Sequence, residues 1–281
     1  MEMTGPSSAF PNRRRELLLY FVLAYALSWA VEIPLGLSMR GVISAHLPQP
    51  IHYLASFGPF FSAVIVTLAT RGWRGAAGLF RGLAKWRVGR SYMLFAVGGP
   101  LVLFALAYLA NRLAKGEWTD LGLLGRVDYL PPIGVLPALV LWLLTFGLGE
   151  ETGWRAFALP RLQAGRSAFS SSIILGLIWA GWHAPAFFYR DTYIAMGWPG
   201  PLMMVFSVIV ASIICTWLYN GTQGSLLMVV LFHGLFDFLS VSSAGGEFAP
   251  IIMSAPIVFW AARLVHVHGK ADLAPVEKQT V

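Results

Sequence analysis

The feature that most limits this chain is the recurrence of apolar blocks long enough to cross a bilayer. A membrane span takes about 20 mainly apolar residues, and eight blocks qualify, beginning near Glu16, Ile51, Ser91, Ile133, Ala168, Gly200, Ser225 and Phe248. They show little of the polar alternation that a half-exposed helix of a water-soluble domain displays. Composition agrees: 57% of the 281 residues are hydrophobic and 12% are charged, where a soluble domain carries roughly 45–50% and about 25%. Backbone groups in hydrocarbon must be paired within a helix or a closed barrel. Blocks of this length therefore predict an all-α fold, a polytopic transmembrane bundle of about eight spans.

The formal charge of +7 does not call for nucleic acid, because the cations sit between the spans. With the N-terminus in the cytoplasm, the inside set is Arg13, Arg14, Arg15, Arg71, Arg74, Arg81, Lys85, Arg87, Arg90, Arg155, Arg161, Arg166, Arg263, Lys270 and Lys278. The outside set is Arg40, Arg112, Lys115, Arg126 and Arg190. Fifteen against five is the asymmetry expected of eight spans with both termini cytoplasmic. The partner this implies is membrane lipid. The absence of soluble domains and of eukaryotic sorting signals suggests a prokaryotic plasma membrane.

The organisation reads as one membrane-embedded domain, residues 16–266, between a mobile N-terminus, 1–15, and a mobile tail, 267–281, both rich in Pro and small or polar residues. The stretch "RRRELLLYFVLAYALSWA" also has the shape of a signal peptide. Retention as a span is expected, because the apolar run continues past Glu32 and Pro34 toward Met39. Segment 71–90 interleaves six cations with Trp73, Leu79, Phe80, Leu83 and Trp86, a composition suited to an anionic headgroup surface. The single cysteine, Cys215, lies in a span and offers neither an intramolecular disulfide nor a Cys-based metal site.

Ionisable side chains inside spans cost roughly 2.5–3.5 kcal/mol on the insertion scale and must face the interior with a partner or a task. Here they are Glu32, Glu150, Glu151, His183, His233 and Asp237, with Arg155 at a span end. Glu151 and Arg155 are four apart, with the carboxylate N-terminal to the cation, so they share a helical face and satisfy each other. Glu150, turned about 100° away, is left free for chemistry; the alternative is that both carboxylates are solvated at a helix end. His183 precedes Pro185, which should leave the Gly181 carbonyl without its helical partner and open a polar pocket. His233 and Asp237 project from one face. Two imidazoles and a carboxylate on separate spans suit general-base or metal-assisted hydrolysis. Counting inward from the loops puts Glu150 near the inner surface but His183 past mid-span, a mismatch that a later helix start or the Pro185 kink would reduce.

These stretches resemble the CPBP (Abi) family of intramembrane proteases, which includes the type II CAAX prenyl endopeptidase. Glu150, Glu151 and Arg155 match its Glu-Glu-x-x-x-Arg motif. Trp179 and His183 match its aromatic-x-x-x-His motif, with Trp for the usual Phe. His233 and Asp237 stand where the family has His-x-x-x-Asn, and the match covers residues 145–240. The resemblance implies hydrolysis of a peptide bond in a membrane-associated peptide or protein near the cytoplasmic face. In that scheme Glu150 and His183 activate water, His233 and residue 237 stabilise the oxyanion, and Glu151, Arg155 and Trp179 support the site. If a divalent metal such as Zn2+ takes part, Glu150, His183 and His233 are its ligands. Asp237 departs from the pattern: an ionised Asp accepts hydrogen bonds but cannot donate as Asn does, so it must be protonated, orient His233 or ligate a metal. The competing readings are a non-enzymatic immunity or peptide-binding factor of the same fold, and a transporter, for which repeated halves are expected and none is found.

Overall fold

The computed structural model describes residues 9–127 and 129–281; the expected mobile start, residues 1–8, lies outside them. Among the described residues, seven helical segments are long and apolar enough to cross a membrane: Asn12–Met39, Gln49–Ala84, Arg90–Lys115, Val135–Gln163, Ala168–Phe188, Gly200–Gly221 and Ala249–Asp272. An eighth apolar helix, Leu226–Val241, is shorter. The main helices are α1 (Ala9–Met39), α2 (Phe57–Leu79), α3 (Gly99–Lys115), α4 (Val135–Trp142), α5 (Ala168–Trp182), α6 (Gly200–Gly221), α7 (Leu226–Val241) and α8 (Ala249–Asp272). This is an integral membrane protein with the helical-bundle fold that its hydropathy predicts.

At 16 residues, α7 rises only about 24 Å. It does not have to cover the bilayer alone, because it packs against α3, α4, α8 and the continuation of α4. It begins where Ser225 accepts a hydrogen bond from Met228 N–H, satisfying one of the helix's first donors.

Side-chain contacts sort the loops onto two ends. At one end Arg161 donates to Glu16 at 2.7 Å, Ser225 to the Lys85 carbonyl at 2.7 Å, and Gln163 to Asn220 at 3.1 Å. At the other, Arg40 donates to the Phe188 carbonyl at 2.7 Å and Gly125 N–H to Ser242 at 2.9 Å. The first end carries the basic segments around 71–90 and 161–166. There α2 breaks at Gly72, whose φ of 62° is one that glycine adopts without penalty. Trp73 and Trp86 beyond it are exposed, as expected of a headgroup-facing segment.

Three expectations are corrected. The first helix begins by Ala9, so residues 9–15 are not a loose lead-in; Glu16, within it, is pinned between Arg161 and Arg71. The tail 267–281 is docked. Helix α8 runs to Asp272, Leu273 and Ala274 are buried, the Gln279 carbonyl accepts from Gln163 at 2.7 Å, and Gln279 N–H donates to Asn220 at 3.1 Å. Arg155 belongs to no loop: it is fully buried within a span.

Candidate active site

The glutamate motif sits in a stretch where the helix widens. After α4 the chain continues as π-helical turns over Leu143–Glu150 and Thr152–Ala158, then as α-helix through Gln163. Such wide turns are rare and frequent at functional sites. Glycines let this segment wedge between neighbours. A Cβ on Gly149 would lie 2.8 Å from the Ser56 carbonyl oxygen, and one on Gly153 would lie 2.6 Å from that of Pro59.

This continuation resolves the depth mismatch. Glu150 lies thirteen positions before Gln163 and His183 fifteen after Ala168, so each sits several turns in from the same end. The expectation of Glu150 near the inner surface is corrected: the helix does not end at its charges, because Glu151 and Arg155 neutralise one another and remain inside. The reading of both carboxylates as solvated is likewise overturned, since Glu150 and Glu151 are buried.

Glu151 is the structural hub. Arg155 Nη1 donates to its Oε1 at 2.8 Å, with neither side chain exposed. The same oxygen lies 2.8 Å from His233 Nδ1, so Glu151 supports His233 as well as Arg155. The Arg155 guanidinium carbon lies 4.5 Å from the centroid of the Trp179 ring, a cation–π geometry.

Trp179 ties the three motifs together. Its indole N–H donates to Glu150 Oε2 at 2.7 Å. Its carbonyl accepts from His183 Nδ1 at 2.7 Å, and its ring meets His233 edge-on at 5.2 Å between centroids. The α5 end explains the second contact. His183 N–H bonds to the Ala180 carbonyl, and a 3-10 turn follows over Ala184–Phe188. Pro185 does open the helix, but the carbonyl engaged by the imidazole is that of Trp179, where Gly181 was expected to be exposed. A carbonyl only accepts, so Nδ1 carries the proton and, in the neutral ring, Nε2 holds the lone pair.

His233 Nε2 lies 3.3 Å from Asp237 Oδ2, and the Asp237 side chain is 35% exposed. Of the three roles open to Asp237, orienting His233 is the one this contact supports. The candidate metal ligands are a different matter. Among the described residues no group of three His, Cys, Asp or Glu is placed to hold a metal ion. His233 turns a nitrogen toward each of two carboxylates, which leaves it no free lone pair for a metal. Glu150, His183 and His233 as arranged do not form a three-ligand metal site.

A second polar network extends from the site toward the end that carries Arg40. Arg190 Nη1 donates to His52 Nε2 at 2.9 Å. His52 Nδ1 is 2.6 Å from the Tyr189 hydroxyl, which donates to Glu32 Oε1 at 2.9 Å. Every proton is accounted for with His52 neutral and Nδ1-protonated. Burial pushes the Tyr189 phenol up, with the Glu32 carboxyl adding to it, so it remains a donor. Arg190 also lies 3.5 Å from the centroid of the Tyr129 ring. Sequence reading identified Glu32 but not His52, Tyr189 or Arg190, which lie at span ends; the only signal was an unpaired glutamate deep in the first span.

Residues 132–239 match the family model described as type II CAAX prenyl endopeptidase Rce1-like. The comparisons bear out the resemblance read from the motifs. The chain is also similar to CAAX prenyl protease 2 of Methanococcus maripaludis, 30% identical over 135 residues, which is 46% of this chain and 49% of the relative. The chain thus spans about half the length of the curated relative it matches. The matched region holds Glu150, Trp179, His183 and His233; α1 and His52 lie outside it.

Proposed function

We propose that this protein is an intramembrane endopeptidase that hydrolyses a peptide bond of a membrane-associated peptide or protein. The observation that carries the reading is the convergence on Trp179 of a buried carboxyl and two imidazoles from separate helices. The likeness to a CAAX prenyl protease agrees with it.

Each group has a task that its contacts suit. The indole N–H fixes Glu150 through Oε2, leaving Oε1 with no hydrogen-bond partner among the described residues to take a proton from water. His183 offers Nε2 as a second acceptor. As the scissile carbonyl oxygen gains charge, His233 shifts its Nε2 proton toward it from the loose 3.3 Å contact with Asp237, while Glu151 steadies Nδ1. A positioned base contributes about 10²–10⁴ in rate and an oxyanion donor about 10²–10³. The proton taken by Glu150 returns to the leaving amine.

The charge difference between the two ends of the bundle supports a sidedness. With the basic end in the cytoplasm, Asp237 and the 184–188 turn point toward the opposite face, so cleavage near the cytoplasmic face would require the reverse orientation. The site is then entered from the non-cytoplasmic side. Labelling of a cysteine placed at the exposed Val42 by an impermeant reagent in oriented vesicles reads this directly.

The function itself is tested with Glu150→Gln, which keeps an oxygen for the indole but removes the base. Cleavage of a membrane-associated peptide in liposomes should fall by at least about 10²-fold with the fold intact. A biological effect that survives this change at full strength would assign the protein to peptide binding.

A further inference from the structure

Glu32 is not used by the chemistry proposed above, yet it is 1% exposed. One oxygen takes the Tyr189 hydroxyl; the other, Oε2, has no partner among the described residues. Residue Glu32 is part of the lining of a cavity of about 560 Å3 between α1 and the Ala184–Phe188 turn, with Oε2 itself buried behind that lining. One wall is a helical stripe, Trp29, Ile33 and Leu37, with Glu32 beside it; Pro185 and Phe188 form the facing wall. The Trp29 indole donates to the Trp182 carbonyl at 3.0 Å on one side, and Arg40 to the Phe188 carbonyl at 2.7 Å on the other. His183 is the residue before this turn, and Glu32 is within its electrostatic reach.

Such a space takes an apolar occupant, and its volume is in the range of ligand pockets. A lipid chain would fill the walls but leave Glu32 Oε2 without a hydrogen bond, an arrangement that costs free energy. An extended peptide supplies both apolar side chains and backbone N–H donors. We propose that this cavity is a substrate subsite: it holds an apolar stretch of the peptide next to the scissile bond, and Glu32 accepts a backbone N–H from it. The proposal rests on the peptidase reading and makes Glu32 a positioning residue.

The test uses the full chain in liposomes with a short apolar peptide bearing one benzoylphenylalanine. Glu32→Leu should raise KM about tenfold, the loss of one hydrogen bond to a carboxyl, with kcat changed by less than about twofold, since binding is lost equally in ground and transition states. Ile33→Trp, which fills the cavity without touching the polar network, should raise KM similarly. Glu32→Gln, which retains an acceptor, should recover part of the loss. On irradiation with the Glu150→Gln protein, the peptide should crosslink to the Phe188 wall. Unchanged KM in both Glu32→Leu and Ile33→Trp overturns the subsite while leaving the peptidase standing. Crosslinking at the wall without cleavage by the wild type keeps the subsite and sinks the hydrolysis. If Glu32→Leu does not fold, Ile33→Trp and the crosslink decide, and a crosslink elsewhere refutes the proposal.

Discussion

The Glu151–Arg155 pair gives the most quantitative prediction, because both side chains have zero exposure. Removing one member of a buried ion pair costs about 3–5 kcal/mol, since the other charge is left without compensation. The two members are not equivalent. Arg155→Ala leaves Glu151 with His233 at 2.8 Å, so the lower end of that range is expected. Glu151→Ala strips Arg155 and His233 together, so the upper end is expected. Glu151→Gln keeps the volume and removes only the charge; it should recover the cavity part of the loss and little else. Glu150→Gln leaves an oxygen for the Trp179 indole and should cost under about 1 kcal/mol. The assay is reversible unfolding in mixed micelles, followed by tryptophan fluorescence. The order Glu151→Ala, Arg155→Ala, Glu150→Gln, from least to most stable, is the expected result. Equal stability of all three would refute the division of labour between adjacent carboxylates.

Asp237→Asn should retain an acceptor for His233 and add a donor near the oxyanion, so kcat in single-turnover cleavage should rise several-fold, within the roughly 10²-fold or more assigned to one such donor. A fall of more than about tenfold would show that the ionised carboxylate is needed to hold His233. Asn220→Leu should break the reciprocal amide pair with Gln163 and release the tail, costing about 1–3 kcal/mol. Hydrogen exchange at residues 273–279 should accelerate, and unaltered protection there would contradict the docked tail.

The spans were legible because about 20 apolar residues leave the backbone few choices. The motif residues were legible as rare ionisable groups in lipid, and the structure brings Glu150, Glu151, Arg155, His233 and Asp237 together with Trp179 and His183. Depth was not legible. Two carboxylates and an arginine look like a helix end, and only the pairing of Glu151 with Arg155 lets the span continue to Gln163. His52 and Arg190 were hidden because their partnership crosses 138 positions of sequence. The tail's polar composition suggested solvent, whereas its Gln279 backbone meets the buried side chains of Gln163 and Asn220.

The wide turns over Leu143–Ala158 make the reaction centre depend on chain register as much as on side-chain identity. Excising one residue between Glu151 and Arg155 would let the coil relax to ordinary pitch while every functional group survived in the sequence. Residues after the cut would turn about 100° relative to those before it, so Glu150 and the notches against Ser56 and Pro59 could no longer all keep their present neighbours. A deletion scan through this stretch should therefore abolish turnover at positions where point substitutions are harmless.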